Sequence, residues 1–185
     1  LIRITILAIL LVFSTNTFGD DLSATPDLSD DPIGQLIYSR TTGLATEIAE
    51  RFRIPQDRAE KIVDMADQNA YEDFPTSRDI LSVIAVESGF NPKARSGSSG
   101  GLMQVNIKSH PELFQHWRDM FSIDKNIEAG AAILRDNYEA LGHNRKKALL
   151  AYNSGIGGVM TGNYHLAYFR KWLKERAWFT KRLGE

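Results

Sequence analysis

The chain is predicted to be mainly α-helical, with one domain over residues 41 to 185. Three observations carry that expectation. Apolar residues recur at spacings of three and four, as in Leu44, Ile48 and Phe52 and again in Ile127, Ala131, Leu134, Tyr138 and Leu141, the period that lays one apolar stripe along a helix. Helix breakers stand at the ends of these stretches, at Pro55, Gly142 and Gly155. Hydrophobic residues make up 43% of the chain, enough for one core and hardly two.

In chain order, residues 1 to 19 place Arg3 ahead of the apolar run Ile4 to Phe13, with Thr17 and Gly19 before an acidic stretch. This is expected to be a secretory signal peptide, its apolar part too short for a stable membrane anchor. Residues 20 to 40 hold Asp20, Asp21, Asp27, Asp30 and Asp31 with Pro26 and Pro32, and read as an acidic, flexible linker. The absence of cysteine excludes a lipid-modified cysteine and any disulfide. The expected product is exported, periplasmic or secreted.

Leu44 to Phe52 predicts a first helix ended by Pro55, and Ala59, Ile62, Met65, Ala66 and Ala70 a second. Thr76 is a plausible N-cap for a third helix running from Asp79 through Val86 to Glu87. Ile127 to Leu141 stripe a long helix that Gly142 closes. Ala148 to Asn153 form a further helix stopped at Gly155, and Tyr164 to Phe179 an aromatic-rich last one.

The stretch Val86 to Gln104 concentrates the chemistry. Glu87 ends an apolar run and is followed by Gly89, Pro92, Gly97, Gly100 and Gly101 among four serines, so a buried helix gives way to a tight polar loop. A carboxyl group set against apolar walls resists ionisation, its pKa rises, and it can act as a general acid near neutral pH. From Ser88 to Lys108 there is no Asp or Glu, so no partner acid is obvious for a two-carboxylate glycosidase.

Glu87-Ser88, Ser96-Gly97-Ser98-Ser99-Gly100, Gly101-Leu102-Met103-Gln104, Asn126-Ile127-Glu128-Ala129-Gly130 and Ala151-Tyr152-Asn153-Ser154-Gly155 follow one another in that order. In this the chain resembles the soluble lytic transglycosylases, lysozyme-like enzymes that cut the bacterial cell-wall glycan, over about residues 76 to 160. The resemblance implies a lysozyme-like α+β fold with a small hairpin near residues 90 to 105. It implies cleavage of the bond after N-acetylmuramic acid in peptidoglycan, with Glu87 as acid and then base and a 1,6-anhydro sugar as product. It also implies that Ser96, Gln104 and Tyr152 bind glycan, that the Tyr152 hydroxyl approaches the catalytic acid, and that no metal or cofactor takes part; Asn153 is expected either to bind glycan or to brace the turn into Gly155. Glu128 is expected to hold loops across the cleft.

Two departures from the family pattern stand out. Val105-Asn106-Ile107 replaces the Met-Pro or Asn-Pro that commonly follows the glutamine, and Thr161 to Phe169 has no Glu-Thr-Arg segment.

Residues 41 to 185 carry 20 basic against 18 acidic groups, although the whole chain is at −1. The excess lies after His143, which suits an anionic wall polymer or a solvated helix face; export argues against nucleic acid. By analogy alone, a compact exported enzyme of this kind is expected to serve a secretion or conjugation apparatus. Two alternatives remain open: a muramidase with a second carboxylate, and a non-catalytic wall-binding or assembly module.

Overall fold

The computed structural model describes residues 31–183. Helices α1 (Pro32–Phe52), α2 (Gln56–Gln68), α3 (Ser77–Glu87), α4 (Ile123–Ala140), α5 (Arg145–Thr161) and α6 (Leu166–Leu183) carry most of the chain. Strands β1 (Arg95–Ser96), β2 (Ser99–Gly100) and β3 (Val105–Asn106) form a small antiparallel sheet in the order β1-β2-β3. Two short 3-10 turns, Pro111–Leu113 and Trp117–Phe121, lead into α4. The helical expectation holds, and the expected hairpin is present with a third strand added just beyond it.

Helix α1 begins at Pro32, inside the stretch expected to be linker. Proline is well placed in a helix's first turn, where its missing N–H costs nothing. The expectation of a linker therefore gives way over residues 32 to 40. Residues 20 to 30, and the signal peptide expected over residues 1 to 19, lie outside the described residues.

Thr76 caps α3 as its spacing predicts: its hydroxyl accepts from the Asp79 N–H at 3.4 Å while the Asp79 carboxylate accepts from the Thr76 N–H at 3.0 Å. Asp79 is fully buried, and its other oxygen accepts from Arg176 Nε of α6 at 2.8 Å. A buried carboxylate needs such a partner. Trp172 Nε1, one turn earlier on α6, donates to the Asp79 carbonyl at 3.4 Å. These bonds fix α6 against α3.

The core gathers Ile48, Ile62, Phe74, Ile80, Leu81, Ile84, Phe90 and Phe179, all fully buried. Phe90 is carried inward by a left-handed turn at Gly89 and Phe90 (φ +56° and +65°) directly after α3. Its ring meets Phe52 at 4.4 Å and Phe179 at 6.4 Å between centroids. The chain thus reverses immediately past Glu87 and presents the loop that follows.

Some of the basic residues of the C-terminal part are used inside the fold. Arg51 of α1 pairs with Glu175, Arg176 with Asp79 and Arg182 with Glu47, and Arg145 donates to the Asp73 carbonyl at 2.6 Å. These cations brace α6 and the start of α5. Lys147, Arg170, Lys171, Lys174 and Lys181 stay exposed, so the basic excess noted in the sequence is only partly spent on holding the fold.

Candidate active site

Glu87 is the last residue of α3 and is half-buried. Burial pushes its carboxyl up to about 7, partly offset by the neighbouring Tyr168 hydroxyl, which favours the ionised form. A helix C-terminus also carries partial negative charge, an unfavourable place for a carboxylate. No other acid among the described residues contributes to the shift.

Tyr168 reaches Glu87 because of how α3 and α6 are paired. Asp79 and Glu87 are eight residues apart on α3, and Arg176 and Tyr168 are eight apart on α6. At 1.5 Å per residue both intervals span about 12 Å. Antiparallel helices joined at Asp79 and Arg176 therefore meet again at Glu87 and Tyr168. The Tyr168 hydroxyl is buried and lies beside the carboxyl, but outside full hydrogen-bonding geometry, so it has no bonded partner among the described residues. Burial and the Glu87 charge raise its own pKa well above the usual tyrosine value.

Tyr152 of α5 is half-buried as a residue, with its hydroxyl end enclosed. Burial first, and the Glu87 charge second, raise its pKa well above the usual tyrosine value. It donates to the Met103 carbonyl at 2.8 Å. The expected approach of the Tyr152 hydroxyl to Glu87 is therefore electrostatic: its proton belongs to the loop, and only its oxygen lone pairs remain for another donor.

Gln104 has a left-handed backbone (φ +51°), and its amide nitrogen donates to the carbonyls of Ala94 at 3.0 Å and Gly101 at 2.9 Å. Both amide hydrogens brace the loop, which leaves the side-chain oxygen as its acceptor for a ligand. Ser96 is exposed on β1 opposite Ser99. Asn153 is exposed on α5, where its side-chain oxygen accepts from Ser154 Oγ at 3.3 Å. The structure thus places Glu87 and Tyr152 in one electrostatic neighbourhood, gives Gln104 a bracing role, and leaves Ser96 and Asn153 open to solvent.

Asn126 was not singled out by the sequence reading, yet it organises the loop. Fully buried at the start of α4, it accepts from the Met103 N–H at 2.7 Å. It donates to the carbonyls of Gly100 at 3.0 Å and Met120 at 2.8 Å. Gly101 must be glycine here: its φ is +80°, and a Cβ would run into the Met120 carbonyl and the Asn126 amide. Met103 is fully buried and packs over Gly130, where a Cβ would strike its sulfur. Glu128 is exposed and makes no hydrogen bond or ion pair among the described residues, so the loop-holding role expected of it belongs to Asn126. Among the described residues no group of three or more acids and histidines is placed to hold a metal.

The Transglycosylase SLT domain family model matches residues 65–172. The chain is similar to "Soluble lytic murein transglycosylase" of Salmonella typhimurium strain LT2, 30% identical over 123 residues, covering 57% of this chain and 18% of that protein. It is also similar to "Membrane-bound lytic murein transglycosylase C" of Serratia proteamaculans strain 568, 37% identical over 98 residues, covering 44% of this chain and 27% of that protein. The chain therefore spans little more than a quarter of either relative's length at most. No solved structure matches.

Proposed function

This chain belongs to the Transglycosylase SLT domain family, and from that premise we propose that it cleaves the β-1,4 bond after N-acetylmuramic acid in peptidoglycan without consuming water. Glu87 supplies both proton transfers. Its protonated carboxyl gives the proton to the glycosidic oxygen as the bond to C1 breaks, while the sugar's acetamido oxygen stabilises the developing cation. The resulting carboxylate takes the proton of the C6 hydroxyl, whose oxygen bonds to C1. A 1,6-anhydro end forms, and Glu87 is again protonated.

The single observation that carries this reading is the state of Glu87: half-buried, raised to about 7, with no acid among the described residues contributing to its shift. A pKa near the working pH lets one group give a proton and take one back. Tyr152 is proposed to face the reacting sugar through its free lone pairs, Gln104 through its side-chain oxygen, and Ser96 and Asn153 through their exposed side chains.

The place of action we infer is the periplasm or the exterior, in keeping with the signal peptide expected over residues 1 to 19. No described helix is long and apolar enough to cross a membrane.

The test is Glu87→Gln in the full chain, assayed on purified cell walls. Loss of wall clearing with glycan binding retained is the expected result. Clearing at the parent rate would overturn the assignment, and an inactive parent that binds glycan would favour the non-catalytic wall-binding module.

A further inference from the structure

Helix α6 meets the core through one side only. Tyr168, Trp172 and Phe179 are buried on it, while Leu166, Arg170, Leu173, Lys174, Ala177 and Lys181 are exposed. At roughly 100° per residue these six fall within an arc of about 100° opposite the buried three. From Leu166 to Lys181 this face runs about 22 Å.

The chemistry within the arc is ordered. Leu166 (41% exposed) and Leu173 (46%) hold one edge, and Arg170, Lys174 and Lys181 the other. Phe169 lies on the far side of the leucines from Arg170, and the Lys146 ammonium of α5 sits 5.6 Å from its ring centroid. Cations therefore stand on both flanks of an apolar strip.

These cations are not taken up by the fold. The side chains of Arg170, Lys174 and Lys181 make no ion pair or hydrogen bond among the described residues, unlike Arg176 and Arg182, which pair with Asp79 and Glu47. Glu175, the single acid of α6, lies outside the arc and pairs with Arg51 at 2.7 Å. Beside the strip, Lys146 and Lys147 open onto a cavity of about 300 Å³ that Leu150, Val159 and Tyr164 also line, with no acid. Met160, next to Val159, is 77% exposed.

We propose that this face docks the protein onto an anionic phospholipid bilayer, with α6 lying along the surface. Leu166, Leu173 and Met160 enter the boundary between headgroups and acyl chains, and the flanking cations hold lipid phosphates. A hydrated anionic polymer would match the charge but leave the leucines in water; a bilayer offers both chemistries at once. Tyr168 meets Glu87 from the buried side of α6, so docking leaves Glu87 across the helix from the lipid.

The experiment mixes the full chain with vesicles of phosphatidylglycerol and phosphatidylcholine in equal parts, or of phosphatidylcholine alone, and reads the fraction that sediments. Phosphatidylcholine alone registers any binding by the apolar run Ile4 to Phe13, which is the same in every variant. A cation near an anionic surface strengthens binding about fivefold, so the parent is expected to prefer the mixed vesicles by about a hundredfold, less as salt rises. Arg170→Gln, Lys174→Gln and Lys181→Gln together are expected to lower that preference to about tenfold or less. Leu166→Gln with Leu173→Gln is expected to weaken binding to the mixed vesicles about tenfold and leave affinity for a soluble polyphosphate chain unchanged. All five side chains are exposed, so melting temperatures serve as the control for folding. Equal binding of the parent to both vesicles overturns the proposal, as does an unchanged preference in the triple variant. So does a leucine variant that binds the mixed vesicles as the parent does, a result that would assign the face to an anionic polymer.

Discussion

The hydroxyl of Tyr152 donates to the backbone carbonyl of Met103 at 2.8 Å, so α5 grips the loop one residue before Gln104. Asn126 grips the neighbouring N–H from α4. Two helices thus hold both sides of a segment that has little regular structure of its own.

Tyr152→Phe removes one of these two holds. It leaves a buried carbonyl without its donor, a loss of about 1 to 2 kcal/mol in denaturant unfolding. Wall-clearing rate is expected to fall with it, since Gln104 and the loop lose their fixed place. Unchanged stability would show that the bond is replaced by solvent.

Asn126→Ala is the more severe change, because three buried backbone groups lose their partner at once. The expected cost is about 3 kcal/mol or more. Asn126→Asp is expected to be no better, since the two carbonyls would face an acceptor in place of a donor. Thermal melting of both variants against the parent checks this.

Glu87 couples function to pH. Folding raises its pKa from 4.5 to about 7, so between those values the folded chain holds a proton that the unfolded chain releases. Its contribution to stability therefore falls as pH rises through that window. Glu87→Gln should gain about 2 to 3 kcal/mol over the parent above the window and little below it. Unfolding curves at both ends of the window decide the matter, and an equal effect at both ends would contradict the shift.

Tyr168→Phe separates tuning from packing. The hydroxyl favours the ionised form of Glu87, so removing it is expected to move the alkaline limb of the rate profile to higher pH. The hydroxyl lies against that carboxyl short of a full hydrogen bond, so the change in stability is expected to be small. A drop in melting temperature with an unmoved limb would assign Tyr168 to packing alone.

Much of the fold was legible because periodicity and punctuation coincide. The stripe from Ile127 to Tyr138 is buried as its spacing required, and the Thr76 cap forms. At Gly155 the backbone does leave the helical region (φ +73°), although the helix resumes as far as Thr161. The start of α1 was hidden because the aspartates and Pro26 ahead of it have the composition of a linker, while Pro32 serves as a helix start. The burial and raised pKa of Glu87 could be foreseen, because an apolar run ending in a carboxylate sets that group against apolar walls. Tyr168 could not, since its meeting with Glu87 depends on the Asp79–Arg176 pair, a relation between residues 97 positions apart. The Asn126 to Gly130 segment was legible as a motif, but the sequence could not say that its asparagine turns inward and its glutamate outward.

The central claim is that Glu87 acts without a second carboxylate, and the mass of the products tests it most directly. Purified wall digested with the full chain is expected to release fragments lighter by one water than the corresponding reducing sugars, the mark of 1,6-anhydro ends. Fragments at the full hydrolysed mass, with free reducing ends, would contradict the account and require a carboxylate that activates water opposite Glu87.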